Sequence, residues 1–288
     1  MPMKKHASIL VTGATGLLGR NLRALLEKSC PEATIVGAGP SSTGDLSDRR
    51  NWLELGGPFD LVFHLAAKLP APDVSGPDLY RLNTAMSIAC LESCEAWGTT
   101  SLVYSSSIAV YPMGAAPTLH EGLQPRPTDF YGASKLAGEH LLSLIASATT
   151  TVVNLRFSSI YGPGPSPALS STVLYAMVQA VRQGRYPKVH GNGTRTQDFL
   201  HVADAARACL LASESGDSGT FNIGSGAATS MLELAQTVLA VHGKPNQRVA
   251  FVPNAPEGES VALDVSKART ELNFAPRVDI ESGLRSLA

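Results

Sequence analysis

VTGATGLLGR, residues 11–20, decides how the rest of the chain is read. An apolar run, SILVT at 8–12, leads into it, and an amphipathic stretch beginning at Leu17 and Leu18 leads out. Gly13, Gly16 and Gly19 therefore fall in a strand–turn–helix connection. Each has a separate use there. One takes a tight turn with dihedrals closed to other residues, one lets a diphosphate approach the backbone, and one lets helix and strand pack closely. The helix N-terminus then offers N–H groups and a partial positive charge to phosphate. The spacing is GxxGxxG, and it points to a bound dinucleotide.

Outward from that turn, short apolar runs alternate with amphipathic stretches, the signature of βαβ units. Strands are expected at 8–12, 34–37, 61–65, 101–105 and 151–157, and helices at 17–28, 79–97 and 131–146. The strands lack clean alternation, as in a parallel sheet covered on both faces. After Tyr161 the chain runs through GPGPSPALSS, and a helix is expected at 172–183. The expected fold is α/β: a Rossmann-type doubly wound parallel sheet with a smaller, interleaved C-terminal α/β lobe. Residues 1–165 form the dinucleotide-binding domain, with a segment at about 192–224 returning to it, and 166–288 form most of the lobe.

Composition excludes several function classes. The 288 residues carry a net charge of −1, with 44 % apolar and 16 % charged residues. Without a Lys/Arg run there is no surface for nucleic acid or anionic membrane. No stretch reaches the roughly 18 apolar residues of a membrane span. MPMKKHASILVTG runs straight into the first strand and turn, so a cytoplasmic protein is expected. Cys90 and Cys94 share a helix face but lack partners at zinc spacing, and read as buried thiols; no metal is expected.

The second strand ends in GAGPSSTGD without the acid that would hold a free adenosine ribose. Arg20, with Ser41 and Ser42, offers donors for a 2′-phosphate, which favours NADP over NAD. Asp45 is suited either to an adenine amino group or to capping a short helix through DLSD, and Leu46 to backbone contact.

LVYSSSIAVY places Ser107 24 residues before Tyr131, and DFYGASKLAGEHL places Lys135 four after it. Side chains at i and i+4 share a helix face. With the Gly-rich turn upstream, this combination resembles the extended short-chain dehydrogenase/reductase family, and within it the NAD-dependent epimerase/dehydratase group. FHLAA (63–67), LRFSSIYGPG (155–164), QDFLHVADAARA (197–208), FNIGSGAATSMLELA (221–235) and DVSKARTELNFAP (264–276) resemble further family segments in the family's order.

The resemblance implies an enzyme using NAD or NADP. Lys135 sits under the nicotinamide ribose, Tyr131 exchanges a proton with the substrate, and Ser107 steadies the same oxygen. Phenol and amine have ordinary pKa values of about 10 and about 10.4, and the ammonium together with an oxidised nicotinamide would lower that of Tyr131. The resemblance also assigns Leu65, Ala66, Ala67, Asn83, Ser105, Phe157 and Ser158 to the cofactor, Asn83 being expected to bond the catalytic strand's backbone. Lys68, Ile108, Ala109, Ser159, Arg195 and Gln197 join Ser107 and Tyr131 at the substrate. The two residues after Ser107, where dehydratases of this family carry Asp-Glu, are Ile108 and Ala109, which cannot exchange protons. Reversible oxidation and reduction at C4 of a sugar remains, as in an epimerase, with an NADPH-dependent 4-keto-sugar reductase as alternative.

The family's diphosphate-binding Arg is replaced by Gln197, and Arg195, Arg182 or Arg185 stand nearby. Ser159 stands where Asn is common, and NAPEGE (254–259) has Ala255 where a late Arg is common. These departures leave open a non-nucleotide substrate, or a catalytically silent NAD(P) sensor. The expected partner is a small molecule, a nucleotide sugar, and relatives imply a homodimer through the helices at 79–97 and 131–146. His64 reads as buried and hydrogen-bonded through its ring, Asp198 as a helix-entry or loop-fixing acid, and His201 as a packed polar residue.

Overall fold

A computed structural model describes residues 7–112, 114, 116, 118–164, 172–255 and 258–287. The first half runs β1 (Ser8–Thr12), α1 (Leu17–Ser29), β2 (Thr34–Ala38), α2 (Pro40–Thr43), α3 (Arg49–Leu53), β3 (Leu61–His64), α4 (Gly76–Trp97), β4 (Ser101–Ser107), α5 (Phe130–Ser143) and β5 (Thr151–Phe157). The remainder runs β6 (Ser159–Tyr161), α6 (Thr172–Arg182), β7 (Lys188–His190), β8 (Thr196–Gln197), β9 (Phe199–His201), α7 (Val202–Ser213), β10 (Gly219–Ile223), β11 (Thr229–Ser230), α8 (Met231–Val241), β12 (Ala250–Val252), α9 (Ser266–Glu271) and α10 (Ile280–Arg285).

Six parallel strands form the central sheet in the order β10-β5-β4-β3-β1-β2. Strand side chains alternate faces, and both faces are dry. Ile9, Val11, Val103 and Leu155 pack under α1 and α7, whereas Leu10, Val62, Leu102 and Tyr104 pack under α3, α4 and α5. That double burial is why the strands read as unbroken apolar runs. The chain leaves β1 towards β2 and returns past it to β3, so the direction of winding reverses between β1 and β3. Ligands of open α/β sheets bind at such a reversal, beyond the strands' C-terminal ends.

Local chemistry sets the helix ends. Ser75 accepts the N–H of Asp78 and starts α4 three residues earlier than apolar periodicity indicates. Asp129 accepts the N–H of Gly132 at 2.7 Å and so begins α5 beside Tyr131. A second apolar core joins α6, α8 and α10 around Tyr161, Met177 and Leu234. A small cluster of Val110, Tyr111, Leu119 and Val261 ties the segment after β4 to the C-terminal region. Among the described residues, no helix is long and apolar enough to cross a membrane.

Candidate active site

A cleft of about 960 Å³ lies over the C-terminal ends of β1, β3, β4 and β5, at the reversal of winding. Its first wall is the Gly-rich turn. Gly13 has φ +66°, and a Cβ there would meet the Ala66 nitrogen at 2.9 Å, so turn and β3 loop touch backbone to backbone. A Cβ on Gly19 would stand 2.2 Å from the Gly13 carbonyl oxygen. Gly16 begins α1 without a side-chain cap, which leaves the first-turn N–H groups of Leu17 and Leu18 facing a ligand.

The loop after β3 forms the second wall, with Leu65, Ala66, Ala67 and Lys68 on the cleft. It is tied at both ends. Thr12 Oγ1 accepts the N–H groups of Leu65 and Ala66, each at 3.1 Å. Asn83 accepts the Lys68 N–H at 2.7 Å, donates to the Lys68 carbonyl at 3.1 Å, and donates to Ser134 Oγ at 3.0 Å. Asn83 therefore anchors this loop and α5, not the backbone of β4. It does not itself line the cleft. His64 is buried, with Nδ1 3.0 Å from Thr12 Oγ1, and desolvation first, then the Lys135 charge, hold its pKa down at about 3.

Asp45 and Leu46 line the adenosine end beside Gly39 and Pro40. Asp45 accepts the Ser47 N–H, and the helix that follows is capped by Asp48 instead. Arg20 and Ser42 are not among the cleft residues. Arg20 Nε donates to the Thr15 carbonyl at 2.8 Å, and Ser42 bonds the backbone of Gly39. The Ser41 side chain lies outside the described residues.

On the floor, Tyr131 and Lys135 project from α5 towards the end of β4. Lys135 Nζ donates to the Ser105 carbonyl at 2.6 Å and lies 5.9 Å from the centre of the Tyr131 ring and 4.9 Å from that of Tyr104. Burial pulls the Lys135 amine down to about 7, against the pull of the Glu139 carboxylate. Ser107 Oγ accepts the Ala109 N–H at 3.1 Å, starting a short 3-10 turn, Ile108–Val110, and it hydrogen-bonds Tyr131. Tyr131 was expected to titrate below the ordinary phenol value. In the protein itself, burial and the Asp129 charge push it up to about 12, with the Ser107 bond only partly opposing them. Lys135 Nζ, held on the Ser105 carbonyl and 5.9 Å from the ring centre, does not offset them, so the lowering requires the further positive charge of an oxidised nicotinamide.

Phe157, Ser158 and Ser159 close the far wall, with Ile108 and Ala109 facing them. At the mouth, Arg195 Nη2 donates to Gln197 Oε1 at 3.0 Å, and the Gln197 amide donates in turn to Ser159. Gln197 thus serves as a neutral bridge, and Arg195 carries the charge at this end. Asp198 is a loop-fixing acid that accepts the N–H groups of Ser225 and Gly226, both at 2.8 Å. His201 caps α7 and reaches Ser286. Cys90 and Cys94 are buried thiols. Of the NAPEGE stretch, positions 256 and 257 lie outside the described residues.

Sequence reasoning named Ser106 beside Ser105 as a cofactor contact but missed Thr12, Leu69, Pro70, Met86, Glu259 and Val261, all in or bracing the cleft. It also missed Glu139, which stands four residues beyond Lys135 and was legible by the rule that linked Tyr131 to Lys135. As a set, the glycine turn, the uncapped helix start and the Lys135–Tyr131–Ser107 floor fit a nicotinamide dinucleotide laid across the sheet, with room for a second ligand beyond Ser107.

The comparisons agree with that geometry. Residues 9–224 match the model of the NAD dependent epimerase/dehydratase family. A dTDP-L-rhamnose 4-epimerase of Burkholderia thailandensis is 34 % identical over 179 residues, which cover 61 % of this chain and about half (49 %) of that protein. A UDP-glucose 4-epimerase of Corynebacterium glutamicum is 28 % identical over 93 % of this chain and 90 % of its own length. The structure of Thermotoga maritima UDP-glucose 4-epimerase with UDP-glucose superposes with a TM-score of 0.86 at 26 % identity, over 97 % of this chain and 96 % of that one. With its glycine turn, its Ser107–Tyr131–Lys135 floor and that match over most of its length, this chain belongs to the NAD-dependent epimerase/dehydratase family, enzymes of the extended short-chain dehydrogenase/reductase type.

Proposed function

We propose that the protein interconverts alcohol and ketone at C4 of a sugar carried on a nucleoside diphosphate, as a 4-epimerase. The observation that carries this reading is the convergence of Ser107, Tyr131 and Lys135 on one floor, between a dinucleotide cradle and an Arg195-bearing mouth. The nicotinamide dinucleotide, when bound, supplies the redox half of the reaction. The chain's own groups do the rest. Tyr131 Oη takes the proton of the sugar hydroxyl and returns it to the ketone oxygen. Ser107, whose oxygen already accepts the Ala109 N–H, directs its own proton to that same oxygen. The Lys135 ammonium, fixed on the Ser105 carbonyl, donates to the cofactor's ribose and keeps positive charge beneath the phenol.

At the mouth, Arg195 meets the diphosphate, with Gln197 and Ser159 as neutral donors. Ile108 and Ala109 follow Ser107 without a proton-exchanging group, which supports epimerisation over dehydration. The lack of a carboxylate at the end of β2, where Ala38 is followed by Gly39 and Pro40, supports acceptance of NADP as well as NAD. Apolar side chains exposed on α4 (Tyr80, Ile88), on α5 (Phe130) and just past its end (Leu144) support a homodimer through these helices.

The experiment is to identify by mass the dinucleotide that co-purifies, then to incubate the protein with UDP- and dTDP-hexoses and read the sugar configuration by proton NMR. A C4 epimer formed without added reductant is expected. A protein that binds none of these nucleotides, or that only reduces keto sugars at the expense of NADPH, overturns the epimerase reading.

A further inference from the structure

The face of α5 that carries Tyr131 and Lys135 extends one more turn to Glu139, and all three reach consecutive residues of β4. Tyr131 bonds Ser107, Lys135 Nζ donates to the Ser105 carbonyl at 2.6 Å, and Glu139 Oε1 accepts the Ser106 hydroxyl at 2.5 Å. Glu139 is buried, 3 % exposed. Arg156 of β5 grips it with two bonds, Nε to Oε1 at 2.9 Å and Nη2 to Oε2 at 2.6 Å. The guanidinium is braced in turn: its Nη1 donates to Tyr111 Oη at 2.9 Å, and Tyr111 donates to Asn222 Oδ1 of β10 at 2.8 Å. A buried ion pair is a poor source of stability, since apolar side chains of like volume often do as well or better. Its place directly behind the catalytic lysine calls for another reason.

We propose that Glu139, locked by Arg156 and Ser106, is a positioning residue of the active site: it registers Ser105–Ser107 against α5 and keeps the Lys135 amine in its charged form. The proposal rests on the catalytic reading of Lys135. The groups facing Lys135 come from every neighbouring element. They are Tyr131 and Glu139 on α5, neutral His64 on β3, Tyr104 on β4, Ser87 and Cys90 beyond Tyr104 on α4, and Arg156 on β5 behind Glu139. Burial works against the ammonium, and the Glu139 carboxylate works for it. Lys135 titrates near neutrality on balance, so one charge at this distance decides how much ammonium is present at working pH.

The test is a direct titration of Lys135 in the full chain with lysine labelled with carbon-13 at Cε. Its NMR signal is identified by its loss in Lys135→Arg. Glu139→Gln keeps an acceptor for Ser106 and removes the charge; the Lys135 midpoint is expected to fall by about one pH unit. Glu139→Asp, which retains the charge, holds it near the wild-type value. Should Glu139→Gln fail to fold, the double replacement Glu139→Leu with Arg156→Met removes both charges together, a change buried pairs tolerate, and it too lowers the midpoint. A purely structural Glu139 would cost stability and leave the Lys135 midpoint in place. A midpoint unmoved in whichever of the two charge-removing proteins folds overturns the proposal. The titration is read without substrate, so it decides this point whatever reaction the enzyme runs.

Discussion

Removing the Asn83 side chain should loosen the wall of the cleft by a calculable amount. Asn83 is 4 % exposed and makes three hydrogen bonds, two to the backbone of Lys68 and one to Ser134. Each such bond contributes about 1 kcal/mol net. Asn83→Ala therefore costs about 3 kcal/mol where nothing replaces the bonds, and about 2 kcal/mol where water reaches the half-exposed Lys68 backbone. For a chain of this size that is a fall in melting temperature of about 3–5 °C. The loop it holds also forms one wall of the cleft, so dinucleotide affinity should weaken by about tenfold, which is about 1.4 kcal/mol. Asn83→Asp separates the contributions. Its carboxylate still accepts the Lys68 N–H but sets an oxygen against the Lys68 carbonyl, so it should lie between wild type and alanine in stability. Thermal melts and calorimetric titration with NAD and NADP provide the assay. An Asn83→Ala protein that melts within about 1 °C of wild type and binds the dinucleotide equally well would refute the anchoring role.

Gly19→Ala places a Cβ 2.2 Å from the Gly13 carbonyl oxygen and 2.8 Å from the Ala14 Cα, both backbone. A drop in stability of about 2 kcal/mol or more, or soluble protein that no longer retains a dinucleotide, is expected by denaturation and mass analysis. His64 should show as an acid-side sensitivity. Desolvation holds its folded pKa at about 3 against an ordinary value of 6.5, so between these pH values the unfolded chain binds more protons. Its contribution is complete above about pH 6.5 and is lost as pH falls towards about 3. Urea unfolding of His64→Gln between about pH 7 and about pH 5 should show a shallower loss than wild type, by up to about 1.4 kcal/mol per pH unit.

The residues that read most clearly were those whose chemistry is local. Gly13, Gly16 and Gly19 mark a backbone geometry that few residues other than glycine fit, and Tyr131 and Lys135 are related by one helical turn; both relations live within a few positions of sequence. β1 to β5 were found within one or two residues, because a doubly buried strand needs an unbroken apolar run. What escaped depends on contacts between distant segments. Asn83 bonds Lys68 across 15 positions, and Tyr111 bonds Asn222 across 111. The orientation of Arg20 towards Thr15 is likewise a rotamer outcome that residue type leaves undetermined. The expected lowering of Tyr131 counted an oxidised nicotinamide; in the protein alone burial and Asp129 outweigh the Ser107 bond, a balance set by three dimensions. Pattern named the candidate chemical groups, whereas the groups that hold them in place depend on contacts between distant segments.

The most direct measurement follows the appearance of the C4 epimer by proton NMR when wild-type protein and Tyr131→Phe are given the same nucleotide hexose. The account predicts turnover by the wild type and a loss of roughly a hundredfold or more in the variant, with its melting temperature and dinucleotide content unchanged. Near-normal turnover by the phenylalanine variant would contradict it.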